Sequence, residues 1–225
     1  MSSALVTGAS SGIGLEIART LAPMVDNLII TGRREEPLRD LEKELIGVVD
    51  VKVVIADLST ESGVDFLIEE AGELDILVNN AGYGLYGRIA DQDPDKLLGI
   101  VDVNIRALTK LGHHHSTNMR MKGKGKILNV ASIAAFQPGP GLAVYCASKA
   151  YVLSLSRAMS AELKGSGVTV TALCPGYVET GFLSTSGFKL TWDEIWSSRA
   201  ARSVANKAVR AMMNGRREVF PGIIN

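Results

Sequence analysis

A chain of 225 residues in which 24 Lys and Arg balance 24 Asp and Glu carries no net field to draw nucleic acid or an anionic membrane surface. Hydrophobic residues make up 46% and glycine fills 23 positions, enough apolar material for one sizeable core and too much for a disordered chain. Cys146 and Cys174 make no disulfide framework, which fits a reducing cytoplasm, and no apolar run approaches the ~20 residues that a bilayer span needs.

Taken in chain order, the apolar run Ala4-Leu5-Val6 predicts a buried strand that enters Thr7-Gly8-Ala9-Ser10-Ser11-Gly12-Ile13-Gly14. The run has no basic residues before it and leads straight into glycines, so it reads as a strand and not as a signal peptide. Leu15, Ile17, Ala18 and Leu21 then recur at helical spacing, with Pro23 near the stop. Asn27 to Thr31 predicts the next strand, ending at Gly32-Arg33-Arg34, and a charged helix follows from Glu35 to Leu45. Val51 to Ile55 predicts a third strand that ends at Asp57-Leu58, with Ser59 as the next helix N-cap. Asp75 to Val78 is a fourth, ending at Asn79-Asn80-Ala81-Gly82. A long helix spans Pro94 to Met119, with Gly112 as its weak point, and Lys126 to Val130 leads to Ser132. A helix from Ala143 runs toward Leu163, Val168 to Leu173 is a strand ending at Cys174-Pro175-Gly176, Ala200 to Met213 is helical, and Phe220 to Ile224 reads as a last short strand. Short continuous apolar strands alternating with amphipathic helices predict an α/β fold: a Rossmann-type, doubly wound parallel sheet with helices on both faces, in one domain over 1–225. The polar and glycine-bearing motifs all fall just after strands, at the carboxyl edge where such sheets bind ligands.

Two of these motifs carry chemistry on their own. The spacing Gly8-x-x-x-Gly12-x-Gly14 between a strand and a helix suits a pyrophosphate: glycines let the backbone approach, and the helix N-terminus supplies free N–H groups and positive potential. Tyr145 and Lys149, four apart on a helix, project from one face. An ammonium beside a phenol lowers the phenol's pKa, and the pair can then pass a proton at an oxygen, as interconversion of an alcohol and a carbonyl requires.

The glycine motif, Asn79-Asn80-Ala81-Gly82, Ser132, Tyr145-x-x-x-Lys149 and Cys174-Pro175-Gly176 together resemble the classical short-chain dehydrogenase/reductase family, in order and spacing, from about residue 4 to at least residue 182. The resemblance implies that Gly8, Ser10, Ser11 and Ile13, with Gly12 and Gly14, line the pyrophosphate and ribose of a nicotinamide dinucleotide. It implies that Asp57 and Leu58 hold the adenine, and that Asn80, flanked by Ala81 and Gly82, sits by the nicotinamide ribose. It places Ser132 on the substrate oxygen, Tyr145 as acid/base, Lys149 on the ribose hydroxyls, and Asn104 at a helix kink whose water links Lys149 to solvent. Past Pro175 and Gly176, Val178 and Thr180 would contact the carboxamide. Relatives associate as homodimers or homotetramers through the long helix and the Tyr145 helix, where Ala147, Ala150, Ser154 and Ala158 permit close packing.

The second strand selects the dinucleotide. An acid at its end would bind the ribose 2′-hydroxyl; Thr31-Gly32-Arg33-Arg34 offers arginine forks instead, which favours NADP(H). Tyr83, Tyr86, Phe136, Gln137, Leu142, Tyr177, Phe182 and Leu183 flank these positions as candidate walls for an apolar carbonyl or alcohol substrate. Phe182, Phe188, Trp192 and Trp196 suggest a substrate lid at about 181–196. His113-His114-His115 point ~100° apart on a helix and cannot converge on a metal, so they read as a partly exposed or interface segment, and no metal site is expected. Cys146 and Cys174 read as small buried side chains. The expected activity is an NADP(H)-dependent oxidoreductase of the cytoplasm, with no nucleic-acid partner. The rival from another class is a dinucleotide-binding regulator or scaffold that has lost turnover, and an epimerase or dehydratase of the extended relatives fits the glycine spacing less well.

Overall fold

The computed structural model describes residues 2–176, 178–179 and 199–221. Strands β1 (Ser3–Thr7), β2 (Asn27–Gly32), β3 (Asp50–Ile55), β4 (Ile76–Asn79), β5 (Gly125–Val130) and β6 (Val168–Leu173) alternate with helices, as the apolar runs predict. The helices are α1 (Gly12–Leu21), α2 (Glu35–Glu44), α3 (Glu61–Ala71), α4 (Pro94–Val101), α5 (Leu108–Lys122), α6 (Ala143–Glu162) and, after two short strands, α7 (Ala201–Met213). Val178–Glu179 (β7) and Arg199–Ala200 (β8) pair with each other in parallel, and Glu218–Val219 (β9) joins the main sheet beside β6.

The main sheet has seven parallel strands in the order β3-β2-β1-β4-β5-β6-β9. The winding reverses between β1 and β4, and a crevice at the strand tips opens there. Side chains alternate across the pleat, so Ala4, Val6, Leu28, Ile30, Val78 and Leu128 pack under α1, α2 and α7. Leu5, Ile29, Leu77, Ile127 and Val170 pack with residues of α3, α5 and α6 on the other side. Burial on both faces is why the strands read as unbroken apolar runs.

Four local details differ from expectation. The N-cap of α3 is Thr60, whose hydroxyl accepts from Gly63 N at 3.0 Å, because Ser59 is engaged with Asp57. The long helix breaks at Asp102–Ala107, which forms a π turn between α4 and α5, whereas Gly112 lies inside α5. The final strand is earlier, at Glu218–Val219, where main-chain bonds reach Ala172 and Cys174 from Arg217 and Val219; residues 222–224 lie outside the described residues. His115 is 1% exposed in the core-facing stripe with Leu108, Leu111 and Met119, while His113 is exposed and His114 half-buried, so the run is not one surface segment.

Candidate active site

The β1–α1 turn depends on two left-handed glycines, Gly8 at φ 66° and Gly12 at φ 61°. A Cβ on Gly8 would also stand 2.9 Å from Ala81 Cα and from Asn80 Nδ2, so the turn and the β4 tip need close approach as well. Thr7, to which no role is given by the motif reading, ties the two strand ends together. Its hydroxyl donates to Val78 O at 3.2 Å and accepts from Asn80 N at 2.9 Å and Ala81 N at 3.0 Å. Asn80 Nδ2 donates to Thr7 O at 2.8 Å and Gly8 O at 3.1 Å. This carboxamide therefore braces the glycine turn from below. Ser11 caps α1 in extended conformation with no side-chain cap bond, and no acidic side chain stands in the first turn. The leading N–H groups of α1 thus keep their capacity for an anion.

At the β2 end, Arg34 Nη2 donates to Ser10 Oγ at 3.3 Å and Ser10 O at 3.4 Å. Arg33, equally exposed, acts electrostatically on Asp57 and Tyr83. Burial works to raise the Asp57 carboxyl, but donation from Ser59 N and Oγ, with the Arg33 charge, holds it below the usual carboxylate range. Leu58 is buried, 5% exposed, and packs in the core with Val54, Val64 and Leu67.

Ser132, Tyr145, Lys149 and Asn104 converge at the tips of β4 and β5. Ser132 Oγ caps a short helical turn, Ile133–Phe136, by accepting from Ala134 N at 3.1 Å, and its side chain hydrogen-bonds Tyr145. Lys149 is 6% exposed, donates to Val130 O at 2.7 Å, and lies 5.8 Å from the Tyr145 ring centre. Gly84 presses on that ring: a Cβ there would meet Tyr145 Cδ2 at 2.9 Å. Asn104, in the π turn, accepts from Tyr83 N at 3.1 Å and donates to Tyr83 O at 3.0 Å and Ser148 Oγ at 2.9 Å. A Cβ on Gly82 would be 2.9 Å from Asn104 Oδ1 and 3.4 Å from Lys149 Nζ, so Ala81-Gly82 runs directly beneath both groups.

The charge expectation for the pair is reversed in the chain alone. Burial pushes the Tyr145 phenol up to about 12, against the lowering effect of the Ser132 hydrogen bond. Burial likewise pushes Lys149 down to about 8. Loss of solvent disfavours either ion more than a cation at this distance favours the phenolate.

Pro175 O accepts from Ile133 N at 3.0 Å, which fixes Pro175-Gly176 against the Ser132 turn. Val178 is described through its backbone pairing with Arg199. Thr180, Tyr177, Phe182, Leu183 and the expected lid at 181–196 lie outside the described residues. Phe136 and Gln137 line a groove of about 610 Å³ with Ala143, Cys146, Ala147 and Ala150. On a helix those α6 positions turn away from Tyr145 and Lys149, so this groove is not the space in front of the phenol. Cys146 and Cys174 are free and buried, and burial raises both thiols. Among the described residues no cluster of three potential metal ligands forms, and no helix is long and apolar enough to cross a membrane.

A parallel sheet with a glycine turn at the tip of its first strand and Ser132, Tyr145 and Lys149 gathered beside β5 defines the class of Rossmann-type oxidoreductases. Residues 2–189 match the model of the short chain dehydrogenase family, and the chain belongs to it. It is 38% identical over 179 residues to the 3-oxoacyl-(acyl-carrier-protein) reductase FabG of Rickettsia prowazekii, covering 78% of this chain and 72% of that one. A short-chain dehydrogenase from Sphingobium yanoikuyae in complex with NADPH superposes with a TM-score of 0.92 at 28% identity, covering 100% of this chain and 89% of the other. A 3-ketoacyl-(acyl-carrier-protein) reductase from Brucella melitensis complexed with NADH superposes at 0.84 with 31% identity, covering 98% and 97%.

Proposed function

We propose that this oxidoreductase interconverts a carbonyl and a secondary alcohol with NADP(H), using Tyr145 as the acid/base. The observation that carries the reading is the Tyr145 phenol hydrogen-bonded to Ser132 on the same α6 face as a buried Lys149. The residues present suit a nicotinamide dinucleotide: left-handed glycines, an uncapped α1 N-terminus without acid, and Asp57 with one carboxylate oxygen on Ser59 and the other open to an amino group. Arg33 and Arg34 at the β2 tip, with no carboxylate at that strand end, support the 2′-phosphate form, as does the NADPH complex of the Sphingobium relative. When bound, the dinucleotide supplies or takes the hydride.

The chain's own residues do the rest. In reduction, Ser132 and Tyr145 donate hydrogen bonds to the carbonyl oxygen, and Tyr145 passes its proton to the alkoxide as that charge develops. Lys149 replaces the proton, and Asn104 holds the π turn through which the route to solvent runs. Ala147, Ala150, Ser154 and Ala158 are all exposed along one side of α6, which supports a homodimer or homotetramer built on that helix. The free thiols of Cys146 and Cys174 support a cytoplasmic location. A panel of apolar ketones and aldehydes offered with NADPH tests the assignment. Oxidation of NADPH with at least one of them is expected; tight NADPH binding with no oxidation across the panel favours the silent regulator.

A further inference from the structure

Ser148 is fully buried on α6, three residues after Tyr145 and immediately before Lys149. Its hydroxyl has one proton, which goes to the main-chain carbonyl of Tyr145 at 2.7 Å, the back-bond a helical serine ordinarily makes. With that proton committed, the oxygen faces Asn104 as an acceptor, and Asn104 Nδ2 donates to it at 2.9 Å. The remaining Nδ2 hydrogen goes to Tyr83 O and Oδ1 takes Tyr83 N, so the Asn104 carboxamide has a single orientation that satisfies every atom. Flipping it would set an N–H against an N–H at Tyr83 and a carbonyl oxygen against a hydroxyl that has no proton left to give.

We infer that Ser148 is a positioning residue of the reaction: it locks the Asn104 carboxamide, and with it the π turn, to the main chain that carries Tyr145 and Lys149. The inference rests on the reading of Tyr145 and Lys149 as the proton-handling pair. It goes beyond that reading in giving a buried hydroxyl that touches no reacting atom control over how the π turn and α6 are aligned. A one-residue linkage suits this task, because Ser148 and Lys149 are consecutive and move together.

The test compares wild type, Ser148→Ala, Ser148→Thr, Asn104→Ala and the double variant Ser148→Ala/Asn104→Ala. Alanine leaves a buried N–H of Asn104 without its acceptor, and kcat is expected to fall about tenfold while KM for NADPH changes less than about twofold. Threonine keeps the hydroxyl and restores most of the loss. In the Asn104→Ala background, removal of Ser148 adds little, because the two act as one unit. Unchanged kcat in Ser148→Ala, or fully additive losses in the double variant, overturns the inference. Side-chain amide hydrogen exchange at Asn104, read by NMR without substrate, separates it from the parent reading. Exchange is expected to quicken in Ser148→Ala, and an unaltered rate refutes the lock even if the wild type proves idle on every carbonyl. A wild type without turnover overturns the oxidoreductase reading and leaves that exchange rate to decide on Ser148.

Discussion

The ammonium of Lys149 lies 5.8 Å from the centre of the Tyr145 ring, one turn along α6, and is anchored on Val130 O at 2.7 Å. Burial drives both groups toward their neutral forms, the phenol up to about 12 and the amine down to about 8. A phenol protonated throughout the neutral range is the correct state for donating a proton to a nascent alkoxide. Carbonyl reduction should therefore not depend on Tyr145 ionisation near neutral pH, whereas alcohol oxidation, which needs the phenolate, should climb as pH rises. Replacing Tyr145 by Phe should lower turnover about 10²–10⁴-fold while NADPH still binds. Steady-state rates in both directions across pH, with fluorescence titration of NADPH, check this; wild-type turnover in Tyr145→Phe would remove Tyr145 from the mechanism.

Arg33 and Arg34 stand at the same strand tip but do different things. Arg34 leans on Ser10 of the glycine turn, while Arg33 holds the field of Asp57 and Tyr83. A charge-assisted bond to a phosphate is worth about 1.5–3 kcal/mol. Arg33→Asp and Arg34→Ala should each weaken NADPH by roughly ten- to a hundredfold on that basis and leave NADH within about threefold. Equal losses for the two dinucleotides would show that neither guanidinium meets the 2′-phosphate.

Periodicity makes the six long strands and their flanking helices legible in the sequence, because burial on both faces leaves apolar runs that nothing else in the chain imitates. The glycine turn is equally legible, since Gly8 and Gly12 adopt angles that other residues avoid. The π turn at Asp102–Ala107 leaves no mark in the periodicity, because it changes backbone pairing without changing which residues are apolar; only the family resemblance, which puts a kink at Asn104, points to it. Nor could spacing show that Asn80 turns its carboxamide down onto Gly8 O, or that Ser59 yields the α3 cap to Thr60 because Asp57 already occupies it. Those outcomes depend on competition for partners across strands distant in sequence. The direction of the Tyr145 shift escapes the sequence for a different reason: the sequence displays the neighbouring cation but not the loss of water, and the loss of water dominates.

Gly14 sits in the first turn of α1, where alanine would ordinarily favour a helix by about 1 kcal/mol. Here a Cβ would overlap Gly8 O and the Asn80 carboxamide, both held by the turn's own hydrogen bonds. The overlap should win. Gly14→Ala is expected to destabilise by about 1–3 kcal/mol, with a drop of several degrees in Tm and weaker NADPH binding. A thermal melt no lower than wild type would mean that the turn relaxes without cost.

His115 occupies a core position where, among the described residues, neither ring nitrogen has a hydrogen-bond partner. Burial, with the adjacent His114 charge, pushes it from 6.5 to about 4. Between those values the unfolded chain binds a proton that the folded chain refuses, so stability falls as pH is lowered through that window. His115→Leu should flatten this acid limb and raise stability near pH 7 by about 1–3 kcal/mol, since it also removes the unsatisfied nitrogens. Urea melts at several pH values decide it; an unchanged acid limb would place its origin elsewhere.

Lys149 presents the opposite trade. Its folded pKa of about 8 lies below the 10.5 of a lysine in water, so at pH 7 the fold bears the full cost of an ammonium held out of water. That cost declines as pH rises from about 8 toward 10.5, where the folded chain has released a proton the unfolded chain still holds, and wild-type stability should therefore increase across that interval. The shift corresponds to on the order of 3 kcal/mol, offset in part by the bond to Val130 O. Lys149→Met keeps a flexible stem of similar length and has no charge to bury, so it should melt higher at pH 7, lose the alkaline increase, and turn over almost no substrate. A variant that is less stable than wild type at pH 7 would show that the Val130 bond outweighs the desolvation of the amine. A more stable, inactive variant would mark Lys149 as a residue whose charge works against the fold and is kept for the proton it handles beside Tyr145.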